Sequence, residues 1–248
     1  MPAYTNIPDA LYKYLPRNFA TALVTEGFVQ VGTLHYYKNI EHKAIGDRGE
    51  GDRTYTTILN QETIIKPGRN DQVPGVFQSM FNIKGGQLTI AKGAELNYVE
   101  QSPDSYIFCA SRLNSTDLMR EFDADTCVGI YDVPAFYNAL LEKMVREKLV
   151  YDFAQSDDCK YEGRKFDYSV PRDSRWLKET DLSYQKEYRV VFHPVLRDHF
   201  DRPAKRLIVQ NELETKFIVP AAPRCPLPLL FPVRLQCPEL TKFCKIIY

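Results

Sequence analysis

The chain opens on an alternating run, Ala10-Leu11-Tyr12-Lys13-Tyr14-Leu15, and then changes period: after Pro16, apolar residues recur at Phe19, Ala20, Ala22 and Leu23 until Gly27. Alternation predicts a strand, the helical spacing a helix with one buried face, and the glycine its stop. Phe28-Val29-Gln30-Val31-Gly32 resumes the strand period, and Leu34-His35-Tyr36-Tyr37 extends it as an aromatic stretch. A polar, glycine-bearing loop follows, Gly46-Asp47-Arg48-Gly49-Glu50-Gly51-Asp52. Strand-like segments at Thr54–Leu59, Thr63–Ile65, Val76–Ile83, Leu88–Ile90 and Leu96–Val99 are separated by Pro67-Gly68, Pro74-Gly75 and Gly85-Gly86, a pattern that predicts antiparallel hairpins.

Ser105–Ser111 is a compact apolar run of the kind that forms a central strand buried on both faces, and Val128-Gly129-Ile130-Tyr131 reads as its neighbour. Pro134 opens the clearest helix, with Phe136, Leu140, Leu141, Met144, Val145 and Leu149 on one stripe and Glu142, Lys143, Arg146 and Glu147 on the other. Leu149–Phe153, Arg164–Tyr168 and Gln185–Phe192 are further strands. The last starts charged and turns apolar, which places its first residues at a sheet edge or cleft, and Pro194 ends it. Six of the sixteen prolines fall between Pro220 and Pro238, so the tail is expected to run extended over the body. These elements predict an α+β fold with mixed, mainly antiparallel sheets and two or three packed helices. The expected organisation is one domain over residues 1–219 and a proline-rich strap over 220–248.

Composition narrows the function classes. Thirty-two Lys plus Arg balance thirty-two Asp plus Glu, so no global field draws the chain to nucleic acid or to an acidic membrane. The N-terminus lacks a charged segment followed by an apolar core, and no uninterrupted apolar stretch of about eighteen residues occurs, so the expectation is a cytoplasmic protein without a membrane partner. The six cysteines, Cys109, Cys127, Cys159, Cys225, Cys237 and Cys244, form no CxxC pair and have no histidine at zinc-ligand spacing; they read as reduced, mostly buried thiols. His35 and His42 lie seven apart in a strand-and-loop context that does not align them as ligands. Signatures of phosphate loops, dinucleotide folds, zinc and serine hydrolases and deaminases are absent.

What remains is a set of single residues at element ends: Tyr12, Lys13 and Tyr14; the acids and arginines of the 46–53 loop; Ser111 and Arg112; and Glu187, Tyr188 and Arg189. Asp47, Glu50 and Asp52 offer the acids of a magnesium-dependent nuclease, with Arg48 and Arg53 beside them to weaken that reading. Sixteen tyrosines, with twelve basic against eight acidic residues over 160–206, allow one positive face for unpaired bases, although tyrosine is also an ordinary half-exposed strand residue.

Tyr12-Lys13-Tyr14, Asp47-Arg48-Gly49-Glu50, Phe108-Cys109-Ala110-Ser111 and Glu187-Tyr188-Arg189, in that order, resemble a group of bacterial and phage-associated proteins distantly similar to the ADP-ribosyltransferase fold. The matched stretches span Leu11 to Phe192; Lys13 stands where a histidine is common, and Gly46-Asp47-Arg48 where Asn-Asp-Pro is. The resemblance implies a metal-free enzyme that transfers ADP-ribose from NAD to a macromolecular acceptor, protein or nucleic acid, or hydrolyses NAD, in a toxin or antiviral-defence setting. It implies Glu187 as the catalytic carboxylate facing an oxocarbenium-like sugar, a tyrosine wall from Tyr14, Tyr36 or Tyr37, and NAD contacts from Lys13, Arg48, Ser111 and Arg112. The alternative is a binding or inhibitory module of phage or mobile-element origin without turnover.

Overall fold

The computed structural model describes residues 3–40, 46–66, 86–167, 173–195, 204–210, 216–220 and 230–248. The expected strand at Val76–Ile83, with His42 and Cys225, lies outside them. In chain order the elements are β1 (Ala3–Tyr4), β2 (Leu11–Leu15), α1 (Arg17–Glu26), β3 (Phe28–Thr33), α2 (Leu34–Lys38), β4 (Asp52–Ile58), β5 (Thr63–Ile65), β6 (Leu88–Ile90), β7 (Glu95–Gln101), β8 (Tyr106–Ser111) and α3 (Thr116–Glu121). There follow β9 (Thr126–Ile130), α4 (Val133–Arg146), β10 (Val150–Asp158), β11 (Lys160–Tyr161), β12 (Lys165–Asp167), β13 (Leu177–Lys178), β14 (Glu187–Pro194), β15 (Ala204–Gln210), β16 (Lys216–Pro220), β17 (Val233–Gln236) and β18 (Cys244–Ile246). The fold is mixed α and β with mostly antiparallel sheets. No helix among the described residues is long and apolar enough to cross a membrane.

The main sheet has nine strands: β1-β10-β14-β8-β2-β9-β18 run in order, and β3 joins β8 and carries β17 on its far side. A second sheet of five strands runs β12-β4-β7-β15-β16. Alternation along the central strands sorts the main sheet into two faces. Phe108 and Ala110 of β8 and Tyr188, Val190 and Phe192 of β14 join the core with Phe136, Tyr137, Leu140 and Met144 of α4. Ile107 and Val191 join Leu34 on the other face. By the same parity Cys109, Ser111, Glu187 and Arg189 share that other face. Asp132 caps α4 through a bond from Ala135 N–H (3.1 Å), as the proline-opened helix required.

Three details differ from the sequence expectation. The aromatic stretch Leu34–Lys38 is a single helical turn and a half, because the Thr33 hydroxyl accepts from Tyr36 N–H (3.1 Å) and ends the strand. The run around Val128 is not beside Ser105–Ser111: β2 lies between them and pairs with β9 along its length. The last segments of the tail are structural members of the sheet, β17 against β3 and β18 against β9.

Gly27 closes α1 in the left-handed region (φ +71°) and is then trapped, since a Cβ there would lie 2.0 Å from the Cys237 carbonyl oxygen. Its own carbonyl accepts from Cys237 N–H (2.9 Å), so the tail is tied to the first helix at this residue. Gly27→Ala is expected to lower unfolding free energy by about 2 kcal/mol or more, from left-handed strain together with displacement of the tail. A urea melt in which the midpoint stays within error of the parent protein would refute this.

Candidate functional site

β8 is paired differently on its two sides. Against β14 the register is continuous, from Tyr106↔Phe192 to Ser111↔Glu187. On the other side β3 covers only the start (Tyr106↔Thr33, Ile107↔Gly32) and β2 only the end (Ser111↔Tyr12). The sheet forks between them. At the fork the Cys109 carbonyl accepts from Lys13 Nζ at 2.5 Å, a side chain in the place of a strand neighbour.

A half-enclosed cavity of about 410 Å³ occupies the fork, lined by residues of β2, α2, β8, β13 and β14 and by Phe122 after α3. Of the residues expected from the sequence as catalytic, wall or NAD contacts, Lys13, Tyr14, Tyr36, Tyr37, Ser111 and Glu187 line it together; Tyr12, Glu50, Lys178 and Arg189 also contribute. Arg112 and Arg48 are not among its lining residues. Arg112 forms an ion pair with Asp158, donates to the Asn6 carbonyl and lies over the Tyr188 ring. Arg48 is exposed at the tip of its loop. Neither cation is placed to hold a ligand of this cavity.

The floor is a buried ion network. Arg189 donates to Glu50 Oε1 (2.7 Å) and Oε2 (3.2 Å), to Glu187 Oε1 (2.8 Å from Nε) and to the Arg175 carbonyl (2.6 Å). Lys178 Nζ donates to Glu187 Oε2 (2.7 Å) and to the Gln185 side chain (2.6 Å). Burial alone would raise the Glu187 carboxyl, but Arg189 and Lys178 outweigh it and hold the group well below the usual carboxylate range. For Glu50 burial prevails over the pull of Arg189, and its pKa is raised. Burial would lower Lys178, yet the two carboxylates drive it above its ordinary value. The thiols beside Glu187 stay protonated: burial pushes Cys109 up to about 12 and Cys159 well above its usual value.

The loop acids are committed elsewhere. Asp47 binds Arg164 (2.5 Å) and folds its own turn by accepting from Gly49 N–H (2.9 Å). Glu50 binds Arg189, and Asp52 binds Lys38 (2.6 Å). Each acid of the sequence-derived nuclease reading thus faces a cation drawn from outside the loop. Among the described residues no cluster of three or more His, Cys, Asp or Glu is arranged to hold a metal ion. His35 is buried, close to Asp104, with Nε2 3.2 Å from the Ser102 carbonyl.

Hydroxyl groups divide in the same way. Ser111 Oγ donates to the Gln185 carbonyl (2.7 Å) and accepts from Leu113 N–H (3.0 Å), so it fastens the turn after β8. Tyr14 donates to the Leu113 carbonyl (2.6 Å), accepts from Ser115 N–H (2.8 Å) and stacks on Phe122 at 5.6 Å; it offers the cavity a ring. Burial pushes its phenol up to about 12. Tyr37 packs edge to face on Tyr36 at 5.4 Å, directly over Gly32, where a Cβ would come within 2.4 Å of the Tyr37 ring. Half-buried Lys13 differs from the buried cations Lys178 and Arg189: among the described residues no carboxylate pairs with it, and its ammonium lies 5.0 Å from the Phe108 ring centre. Burial lowers its pKa, against the opposing pull of Cys109 and Glu187, and Lys178 adds to the lowering.

Sequence reading named Glu187 but not the pairings that hold it. The Glu-x-Arg spacing of Glu187 and Arg189 on a strand already places both on one face, and Lys178 lies in the charged approach to that strand. Comparison with known proteins adds nothing to this reading: no family model, no curated protein and no solved structure matches the chain.

Removing Arg189 leaves Glu50 buried without its cation and Glu187 with Lys178 alone, so Arg189→Met is expected to cost about 3–5 kcal/mol. Glu187, lowered in the folded protein, contributes stability that is full above the ordinary carboxylate range and is lost as pH falls below it. Urea midpoints measured from neutral pH down through that range should fall, and Glu187→Gln should flatten the fall; an equally steep acid loss in the variant would assign it to other carboxylates.

Proposed function

We propose that the forked cavity binds NAD and that the protein belongs to the ADP-ribosyltransferase class of enzymes. The observation that carries the reading is the convergence of Lys13, Tyr14, Tyr36 and Glu187 from three separate elements on one cavity of about 410 Å³. Each has a chemical role there. Tyrosine rings wall the space in which a nicotinamide ring stacks away from water. Lys13, for which no carboxylate partner exists among the described residues, meets the pyrophosphate as a point charge. Glu187 stays ionised and accepts from the ribose hydroxyls while positive charge develops on the sugar as the glycosidic bond breaks. A macromolecular side chain or water then takes the sugar carbon.

One feature of the floor favours a second reading. Glu50 and Glu187 are matched by Lys178 and Arg189, so the field of Glu187 toward a sugar cation is offset at short range. A protein that holds the same nucleotide without turnover fits that balance equally, and the two readings separate on bond cleavage.

Saturating NAD at about a hundred times its Kd should stabilise the fold by about 2.7 kcal/mol, a rise in melting temperature on the order of 5–10 °C. Lys13→Met should weaken binding about 10- to 100-fold, the value of one charge-assisted hydrogen bond. Release of nicotinamide, followed by chromatography, supports the enzyme and should vanish in Glu187→Gln; binding without release selects the second reading, and absence of both a thermal shift and release overturns the NAD assignment.

The pH dependence follows from the lowered Lys13. An anion beside Nζ raises that pKa again, so binding takes up a proton: affinity is full below the free-state pKa and declines as pH rises through it. The groups facing Lys13 are Cys109 from β8, Glu187 from β14 and Lys178 from β13. Cys109 and Lys178 are pushed up and Glu187 down, so these keep their charge state across that window. Titration calorimetry in buffers of different ionisation heat should record proton uptake in the parent protein and none in Lys13→Met.

A further inference from the structure

A second cavity, about 300 Å³, lies between β2, α1 and β3 and shares Lys13, Leu15 and Gln30 with the first. Its walls are apolar, with Phe19, Leu23, Phe28 and Phe108 around it, and Arg234 of β17 reaches over Phe19 at 5.8 Å. Phe19 and Phe28 are 45% and 41% exposed, so two large aromatic side chains stand unburied beside an apolar hollow. Strand parity explains how Lys13 enters it. Lys13 shares a face of β2 with Leu11 and Leu15, which pack in the core, so its stem rises from the apolar side and its nitrogen reaches the fork.

We propose that Lys13 is a reactive amine, and that the apolar cavity beside it receives an aryl or alkyl carbonyl compound that Lys13 captures as an imine. The reading goes beyond nucleotide binding, since it concerns a different cavity and a covalent step. Three observations support it: the nitrogen has no carboxylate partner among the described residues, it lies between an apolar hollow and a polar cleft, and one N–H is directed onto the Cys109 carbonyl. Burial also lowers its pKa, which increases the neutral, nucleophilic fraction. In the step the nitrogen lone pair forms a bond to the carbonyl carbon and the C=O pair moves to oxygen, which takes up a proton. The carbinolamine then loses the hydroxyl with a second proton as water, leaving C=N. The sum is amine plus carbonyl giving imine plus water, without oxidant or reductant.

The test uses the full chain with benzaldehyde as probe and cyanoborohydride to fix any imine as a secondary amine, with the modified lysines mapped by peptide mass spectrometry. Lys13 should be labelled at least about tenfold faster than the exposed lysines, because the cavity adds local concentration to amine reactivity. Labelling distributed over the lysines by exposure overturns the proposal. Ala22→Phe, which fills the apolar cavity while leaving Lys13 in place, should suppress the Lys13 adduct, provided its melting temperature shows a folded protein; unchanged labelling in a folded Ala22→Phe protein overturns the cavity as the site. Lys13→Arg has no such nucleophile and should lose the adduct at residue 13, while retention of the thermal shift with NAD is read in Ala22→Phe, whose position lines the apolar cavity and not the forked one. The imine and nucleotide readings therefore fail on separate measurements.

Discussion

Glu50, Lys178, Glu187 and Arg189 come from a loop, a two-residue strand and the central strand β14, and their mutual pairing is the constraint on which the arrangement of the cleft depends. None is a group that enters a protein interior without compensation. A carboxylate or ammonium transferred alone from water costs several kcal/mol even after relaxation, and each of these recovers that cost only where its partners stand within hydrogen-bond distance. The network therefore fixes relative position more than it adds net stability. A well-packed apolar substitute for all four would fold as well, but it would leave the loop carrying Glu50 without a directional tie to β14. Arg189 is the hub: its guanidinium serves both carboxylates and the Arg175 carbonyl, a planar division of donors that lysine lacks.

The 46–52 loop shows how the same economy extends outward. Arg164 takes Asp47 on one side and Glu179 (2.9 Å) on another, while also donating to the Asp52 and Leu177 carbonyls. A Cβ on Gly49 would come within 2.4 Å of that guanidinium, so the glycine is required for the arginine to pass. Loop, β12 approach and β13 are thus clamped by one cation through Asp47, while the other two acids that look like a metal site in the linear sequence, Glu50 and Asp52, are held by Arg189 and Lys38. Charge content alone does not separate these outcomes; the long-range partner does.

Legibility from sequence followed the range of the interaction. The strand-helix-stop of Leu11 to Gly27, the helix opened by Pro134 and the apolar run before Ser111 were readable because period and punctuation are local. Lys13, Tyr14, Tyr36, Ser111 and Glu187 were named, with Arg48 and Arg112, from the order of motifs in the resemblance; of these, Ser111 and Glu187 share a face because alternation holds on β8 and β14. What was not readable needed a partner far along the chain. Ser111 and Tyr14 carry hydroxyls that sequence alone leaves available, yet Gln185, Leu113 and Ser115 consume them. Arg112 follows a central strand as a ligand-binding cation would, but Asp158, forty-six residues away, takes it first. The placement of β2 between β8 and β9, which creates the fork, has no local signal at all.

Lys13 is the point where the two cavities and the two kinds of chemistry meet. The sheet opens at Cys109 because β3 and β2 each cover one end of β8, and the carbonyl left between them needs a donor. A neutral donor would satisfy it. An ammonium does so while, among the described residues, no carboxylate pairs with it, in contrast to the buried and paired Lys178 and Arg189. That imbalance has physical consequences in either direction. An anion in the forked cavity would hold the nitrogen protonated and withdraw its lone pair from chemistry, whereas burial lowers its pKa beside the apolar hollow. The two proposals, taken together, would couple occupancy of one cavity to reactivity at the other through a single proton on a single nitrogen.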